Sequence, residues 1–140
     1  MNKNFFIMVI EDRYEITNFA LQVLPGESDF VSVGMKEYRE LLEYPTLKAV
    51  YIDSEQNDWT TVFYRLKGAI EQIDLTGACS AIVQIGCRSS DSITMMSLNA
   101  ILDIVRGDRD AINIQWGTQN GIHLPPEHIY VFVVYGYSAQ

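Results

Sequence analysis

The stretch Ala78–Ile85 reads ACSAIVQI, and the four residues before it, Asp74–Gly77, read DLTG. A short apolar run bounded by an Asp- and Gly-containing turn has the length and β-branched content of a buried strand. Upstream, Trp59–Ile73 places Trp59, Val62, Phe63, Leu66, Ala69, Ile70 and Ile73 on one helical face, with Asp58 in position to cap it. Downstream, Gly86–Ser92 is polar, and Asp91 or Ser92 can cap a helix over Ile93–Val105 that turns Met96, Ala100, Ile101 and Ile104 inward. A charged turn, Arg106–Arg109, leads to a strand over Ala111–Trp116. The loop Gly117–Glu127 then precedes a last strand over Ile129–Tyr135, IYVFVVY. Strands alternating with helices predict parallel pairing through right-handed crossovers. The last two strands have no helix between them and are expected to pair with each other as an antiparallel ladder.

The first half continues the alternation. Phe5–Ile10, FFIMVI, reads as a strand. Glu15–Leu24 has helical spacing and is stopped by Pro25-Gly26. Lys36–Tyr44 reads as a helix with Tyr38, Leu41 and Leu42 inward, ended by Pro45, and Leu47–Ile52 reads as a strand.

The 140 residues suit one domain spanning 1–140, and 48% apolar with 20% charged residues is enough for a core. No apolar run approaches the roughly 20 residues of a membrane helix, and Met1–Ile10 lacks a cleavage-site pattern, so a cytoplasmic address is expected. A net charge of −8 argues against nucleic acid and against anionic membrane as partners. Cys79 and Cys87, eight residues apart in one strand, lie roughly 26 Å apart, beyond disulfide reach, and Cys79 reads as a small core residue. The chain contains no G-x-S-x-G, H-E-x-x-H or C-x-x-C, and no metal or cofactor is expected. The carboxylate pairs Glu11/Asp12, Glu40/Glu43 and Asp108/Asp110 fall in turns or on helix surfaces and read as solvated charge.

Two groups remain as candidate binding features. Arg88, Arg106 and Arg109 either meet near one edge and hold an anion, or are water-exposed element ends. Tyr130, Phe132, Tyr135 and Tyr137 lie on or just past the last strand. Period two puts Tyr130 and Phe132 on one face and Tyr135 and Tyr137 on the other. If one face of that strand is bare, they form a protein-contact strip. If both faces are covered, they are core.

Several blocks carry a resemblance. Ile73–Ala78 (IDLTGA) is similar to the "IDLxGA" step of the FtsZ C-terminal domain, and Ser80–Ile85 (SAIVQI) to the strand after it. Leu98-Asn99-Ala100 resembles the "vNEA" stretch of the next helix, Asn113–Thr118 (NIQWGT) resembles "NIIWGT", and Glu127–Tyr137 resembles "DEIRVTVIATGF". The resemblance to the tubulin/FtsZ family is good over 59–137, weaker over 30–58 and poor over 1–29, where Phe5–Arg13 faintly resembles the last strand of the family's GTPase domain. It implies an α/β fold, specifically an α+β two-layer sandwich: a mixed, mostly four-stranded sheet with helices packed on one face, plus an N-terminal strand–helix extension over 1–29.

Val31–Arg39 (VSVGMKEYR) occupies the place of the family's synergy loop, "INVDFADVR", whose acidic residues polarise the attacking water at the next subunit's nucleotide. Here Ser32 stands at the Asn position and Gly34 at the first Asp, and Glu37 keeps the second acid. No "GGGTG" phosphate loop occurs in the sequence. The resemblance therefore implies a non-catalytic protein-interaction domain without GTPase activity. Its expected role is to bind or regulate a tubulin/FtsZ-type cell-division filament, or to self-associate as a homo-oligomer. The alternative is a small oligomeric enzyme or ligand-binding protein of chorismate-mutase-like architecture, with clustered arginines at an inter-subunit site.

Overall fold

Strand β3 (Ala78–Cys87) lies within a five-stranded mixed sheet. The computed structural model describes residues 5–23, 35–54, 59–87, 94–107, 109, 111–120 and 129–138. The elements follow in chain order: β1 (Phe5–Ile10), α1 (Arg13–Val23), α2 (Met35–Leu42), β2 (Thr46–Ser54), α3 (Trp59–Glu71), β3, α4 (Met95–Arg106), β4 (Asn113–Asn120) and β5 (Ile129–Tyr137). The sheet order is β1-β2-β5-β3-β4. The β3–β4 pair is parallel and the other three pairs are antiparallel.

The turn before β3 forms as its residues require. Asp74 accepts a hydrogen bond from the Thr76 backbone N–H at 2.9 Å, and Gly77 takes φ 88°, which favours a residue without Cβ. The pairing of β3 with β5 shifts register between Ala78 and Ser80. At this irregularity Cys79 is half-buried, its thiol 3.7 Å from the Gly136 carbonyl, rather than in the core as its size suggested.

β5 does not pair with β4. It lies between β2 and β3, and β4 forms the far edge beside β3. Composition explains the exchange. All nine residues of β5 are buried, so it needs neighbours on both sides and cover on both faces. β4, NIQWGTQN, is rich in Asn, Gln and Thr and tolerates an edge.

Both faces of the sheet carry helices. On one, Val62, Leu66, Ala69 and Ile70 of α3 and Leu98, Ile101 and Val105 of α4 pack on Val50, Ile52, Ala81, Val83, Ile85, Val131, Val133 and Tyr135. On the other, Ile16 of α1 and Tyr38 and Leu41 of α2 pack on Ile10, Leu47, Ala49, Ile82, Phe132 and Val134. The expected α+β class holds. The sheet has five strands rather than four, and helices on both faces rather than one: the N-terminal segment, where the resemblance is poor, supplies β1 and α1, and α2 completes the second layer. α1 is capped by Asp12, whose carboxylate accepts from the Glu15 N–H at 3.0 Å. Arg13 donates to the carbonyls of Leu42 and Tyr44, tying α1 to the chain just past α2 where helix carbonyls lack partners.

α4 begins two residues later than expected and buries a different face. Thr94 and Ser97 form a capping box, each side chain accepting from the other's backbone N–H. Counting from that cap, Ser97, Leu98, Ile101 and Val105 face inward, and Met96, expected in the core, is 84% exposed. Among the described residues no helix is long and apolar enough to cross a membrane.

Candidate functional site

α2 runs along the sheet between two landmarks. Near its start, Tyr38 is buried in the cluster that includes Tyr130, and burial together with that neighbour pushes the Tyr38 hydroxyl upward in pKa. Near its end, Leu41 lies against Gly136. Tyr130 pairs with Gly86 near the carboxyl end of β3, and Gly136 pairs with Ser80 at the other end. The start of α2 thus lies at the carboxyl end of β3, the end from which the chain passes on to α4.

Of the synergy-loop equivalents, Ser32 and Gly34 lie outside the described residues. Glu37 sits half-buried in the first turn of α2, where a carboxylate is favoured by the helix dipole. At the same end of the molecule, Met95 and Met96 open α4 with 69% and 84% of their surface exposed. Sequence reasoning missed them because it sought the cap of α4 at Asp91 or Ser92. The Thr94–Ser97 pair was the signal that would have set the helix phase.

The aromatic strip is not a surface. Tyr130, Phe132, Tyr135 and Tyr137 are all buried because both faces of β5 are covered. The expected division between faces is observed: Tyr135 and Tyr137 lie under α3 and α4, and Tyr130 and Phe132 lie on the side of α1 and α2. Their polar ends serve the fold. The Tyr135 hydroxyl donates to the Val105 carbonyl at 2.7 Å, satisfying an orphan acceptor in the last turn of α4. Tyr137 donates to the Asp74 carbonyl at 2.8 Å. Burial raises the Tyr135 hydroxyl, and burial with nearby Asp74 pushes Tyr137 up to about 12. The Tyr130 ring stacks on Tyr51, centroids 5.9 Å apart, and lies over Gly86 so closely that a Cβ there would be 1.8 Å from the ring.

Of the three arginines, Arg88 lies outside the described residues. Arg106, ending α4, is 3.7 Å from Asp103, and Arg109 follows in the turn toward β4. That turn lies at the amino end of β3.

Arg109 helps to line a cavity of about 680 Å³ where α3 and α4 end. Its walls are Ile70, Ile73, Leu75 and Ile104, with Lys67, Glu71, Asp74 and Asp103 around them. The Asp74 carboxyl is held below its usual range, first by the hydrogen bond from the Thr76 backbone. The Nε of Arg109 is buried and has no hydrogen-bond partner among the described residues. No group of His, Cys, Asp and Glu able to hold a metal occurs among the described residues.

With this geometry in view, comparison with known proteins gives a likeness of fold. The chain is similar to a solved structure described as a helical model of the TubZ-Bt four-stranded filament, with a TM-score of 0.65 and 12% sequence identity. The likeness covers 91% of this chain and 34% of that one, so the chain spans about a third of its structural neighbour. No protein-family model and no curated protein sequence matches. At this identity the likeness concerns the fold: a five-stranded mixed sheet with helices, consistent with the C-terminal domain of tubulin/FtsZ-type proteins.

Proposed function

We propose that this chain is a non-catalytic protein-interaction domain that binds or regulates a tubulin/FtsZ-type filament, or associates with its own copies. The observation that carries the reading is the fold likeness to a filament protein across nine-tenths of this chain. The substitutions at the synergy-loop positions, Ser32 and Gly34, support an absence of GTP hydrolysis, as does a sequence without a glycine-rich phosphate loop. A domain of this shape can occupy the nucleotide-bearing face of a filament subunit without supplying the acidic pair that activates water, and so cap or slow the polymer.

The filament-facing surface under this reading is the end where α2 and α4 begin, and its anchors are Met95 and Met96. Exposed methionines adapt to a partner at low conformational cost and are enriched in contact surfaces. The test is co-sedimentation of the protein with FtsZ-type filaments, wild type against Met95→Glu/Met96→Glu. The substituted side chains are exposed, so the fold should stand while filament binding falls by about tenfold or more. Equal binding by both proteins would remove this surface from the account.

A ligand-binding reading keeps one observation in its favour, the cavity of about 680 Å³ beside Arg109, a size that suits a small molecule. A thermal-shift screen of small carboxylates and phosphates against wild type and Arg109→Gln tests it. A shift seen only in the wild type favours a ligand.

A further inference from the structure

β1 closes one edge of the sheet, and among the described residues no strand pairs with its outer side. Exposed edges are normally blunted by a charge, a proline, a bulge or extreme shortness. β1 carries none of these. Its sequence FFIMVI has no charged residue, proline or glycine, and its six residues pair with β2 without a register shift, from Phe5↔Ser54 to Ile10↔Ala49. The outer side of β1 is therefore a regular row of backbone donors and acceptors.

We propose that a second copy of this chain covers this edge, β1 pairing antiparallel with β1 of its mate about a two-fold axis and joining two five-stranded sheets into one. The inference takes up the self-association part of the reading above and names its surface. Filament binding is measured separately and stands or falls by itself.

Three observations select a second copy as the occupant. An antiparallel strand edge is self-complementary, since rotation by 180° brings its donors opposite its acceptors, as an isologous interface requires. Charge points the same way. The chain carries −8, yet neither β1 nor the recess beside it, lined by Val9, Tyr64, Arg65, Gly68, Ala69 and Gln72, contains a carboxylate. Glu11 and Asp12 follow β1 directly, and antiparallel pairing keeps the two copies of this acidic pair at opposite ends of the seam, about 20 Å apart. Parallel pairing would set them side by side.

The third observation is the relief on the α3 side of the edge. Tyr64 projects from α3 with 76% of its surface exposed, and Val9 of β1 is 38% exposed. Between them lies a recess of about 190 Å³, and a Cβ built on Gly68 meets nothing within 4 Å. Across the two-fold, Tyr64 of each copy seats in the Gly68 recess of the other, so that α3 packs on α3 above the joined strands.

The test is sedimentation equilibrium of the whole chain from low to high micromolar concentration, with thermal melts in parallel. The wild type should show a monomer–dimer equilibrium. Gly68→Lys fills the recess and Tyr64→Lys removes the knob. Each should weaken dimerisation by about tenfold or more without lowering the melting temperature of the monomer, and Gly68→Lys should raise it, since Gly is the poorer helix former. Met8→Pro and Val9→Pro form a second pair. Neighbouring residues of an edge strand point their N–H groups in opposite directions, so one proline breaks the ladder to β2 and lowers stability. The other removes only an outward donor and should give a stable monomer. A dimer that survives Gly68→Lys and Tyr64→Lys assembles elsewhere and overturns the proposal. A wild type that stays monomeric with slowly exchanging β1 amides also overturns it, because the chain's own residues then cover the edge. Filament co-sedimentation of the monomeric variants reports on the filament reading independently.

Discussion

Under α3 and α4, the tyrosines of β5 place their hydroxyls on carbonyls, Tyr135 on Val105 and Tyr137 on Asp74. Under α1 and α2, the sheet buries the Gln84 amide and the Tyr38 hydroxyl, and neither has a hydrogen-bond partner among the described residues. The same strands supply both faces, alternating residue by residue, so the difference lies in what covers them. The first face is the one whose helices resemble the FtsZ C-terminal domain. The second is partly closed by the N-terminal segment, whose sequence carries that resemblance only poorly. A face that buries unsatisfied polar groups forgoes stability, and removing a buried polar group should have opposite signs on the two sides.

The largest effect is expected on the first face. Leu66→Ala or Ile101→Ala leaves a cavity between fully buried neighbours and should cost about 2–5 kcal/mol, read from the urea midpoint at unchanged slope. Alkaline pH comes next and acts on both faces. Burial raises the hydroxyls of Tyr38 and Tyr135 above the ordinary tyrosine value. Their contribution is whole below the unfolded pKa and is lost as pH rises toward the folded one, because the unfolded chain releases those protons first. Each should remove about 1.4 kcal/mol per pH unit above roughly pH 10, and urea titrations on either side of that pH would show it.

On the second face, Gly86→Ala drives a methyl into the Tyr130 ring and should cost about 1–3 kcal/mol by thermal or urea melt. The sharpest comparison is a set of near-isosteric changes. Tyr135→Phe strands the Val105 carbonyl and should destabilise by about 1–3 kcal/mol. Tyr38→Phe should be neutral or slightly stabilising, and Gln84→Leu should stabilise by about 1 kcal/mol. A loss at Tyr38→Phe as large as that at Tyr135→Phe would mean that the second face satisfies its hydroxyl, and the contrast between faces would collapse. The smallest effect is Thr94→Ala, which opens the capping box of α4 for about 1 kcal/mol and leaves the sheet untouched.

Local pattern carried the elements and failed on their arrangement. ACSAIVQI, the α3 face and FFIMVI were legible because apolar period and turn residues act over a few positions. The place of β5 between β2 and β3 was not, since strand order depends on pairing partners distant in sequence. The clue was that β5 is apolar on both sides whereas β4 is not. The second helical layer was half legible: Tyr38 and Leu41 were read as inward, but nothing local said toward which face. The candidate site fared less well. Buried tyrosines and exposed ones look alike in sequence. Met95 and Met96 emerged from a cap that sequence reasoning had placed two or three residues too early.

The measurement that bears most directly on the proposed role is GTP turnover by an FtsZ-type filament protein, titrated with the purified chain and read alongside pelleting of both. The account expects the chain to pellet with the filaments, to hydrolyse no GTP alone and to depress turnover as it saturates. A chain that stays in the supernatant and leaves turnover unchanged at every ratio would contradict it.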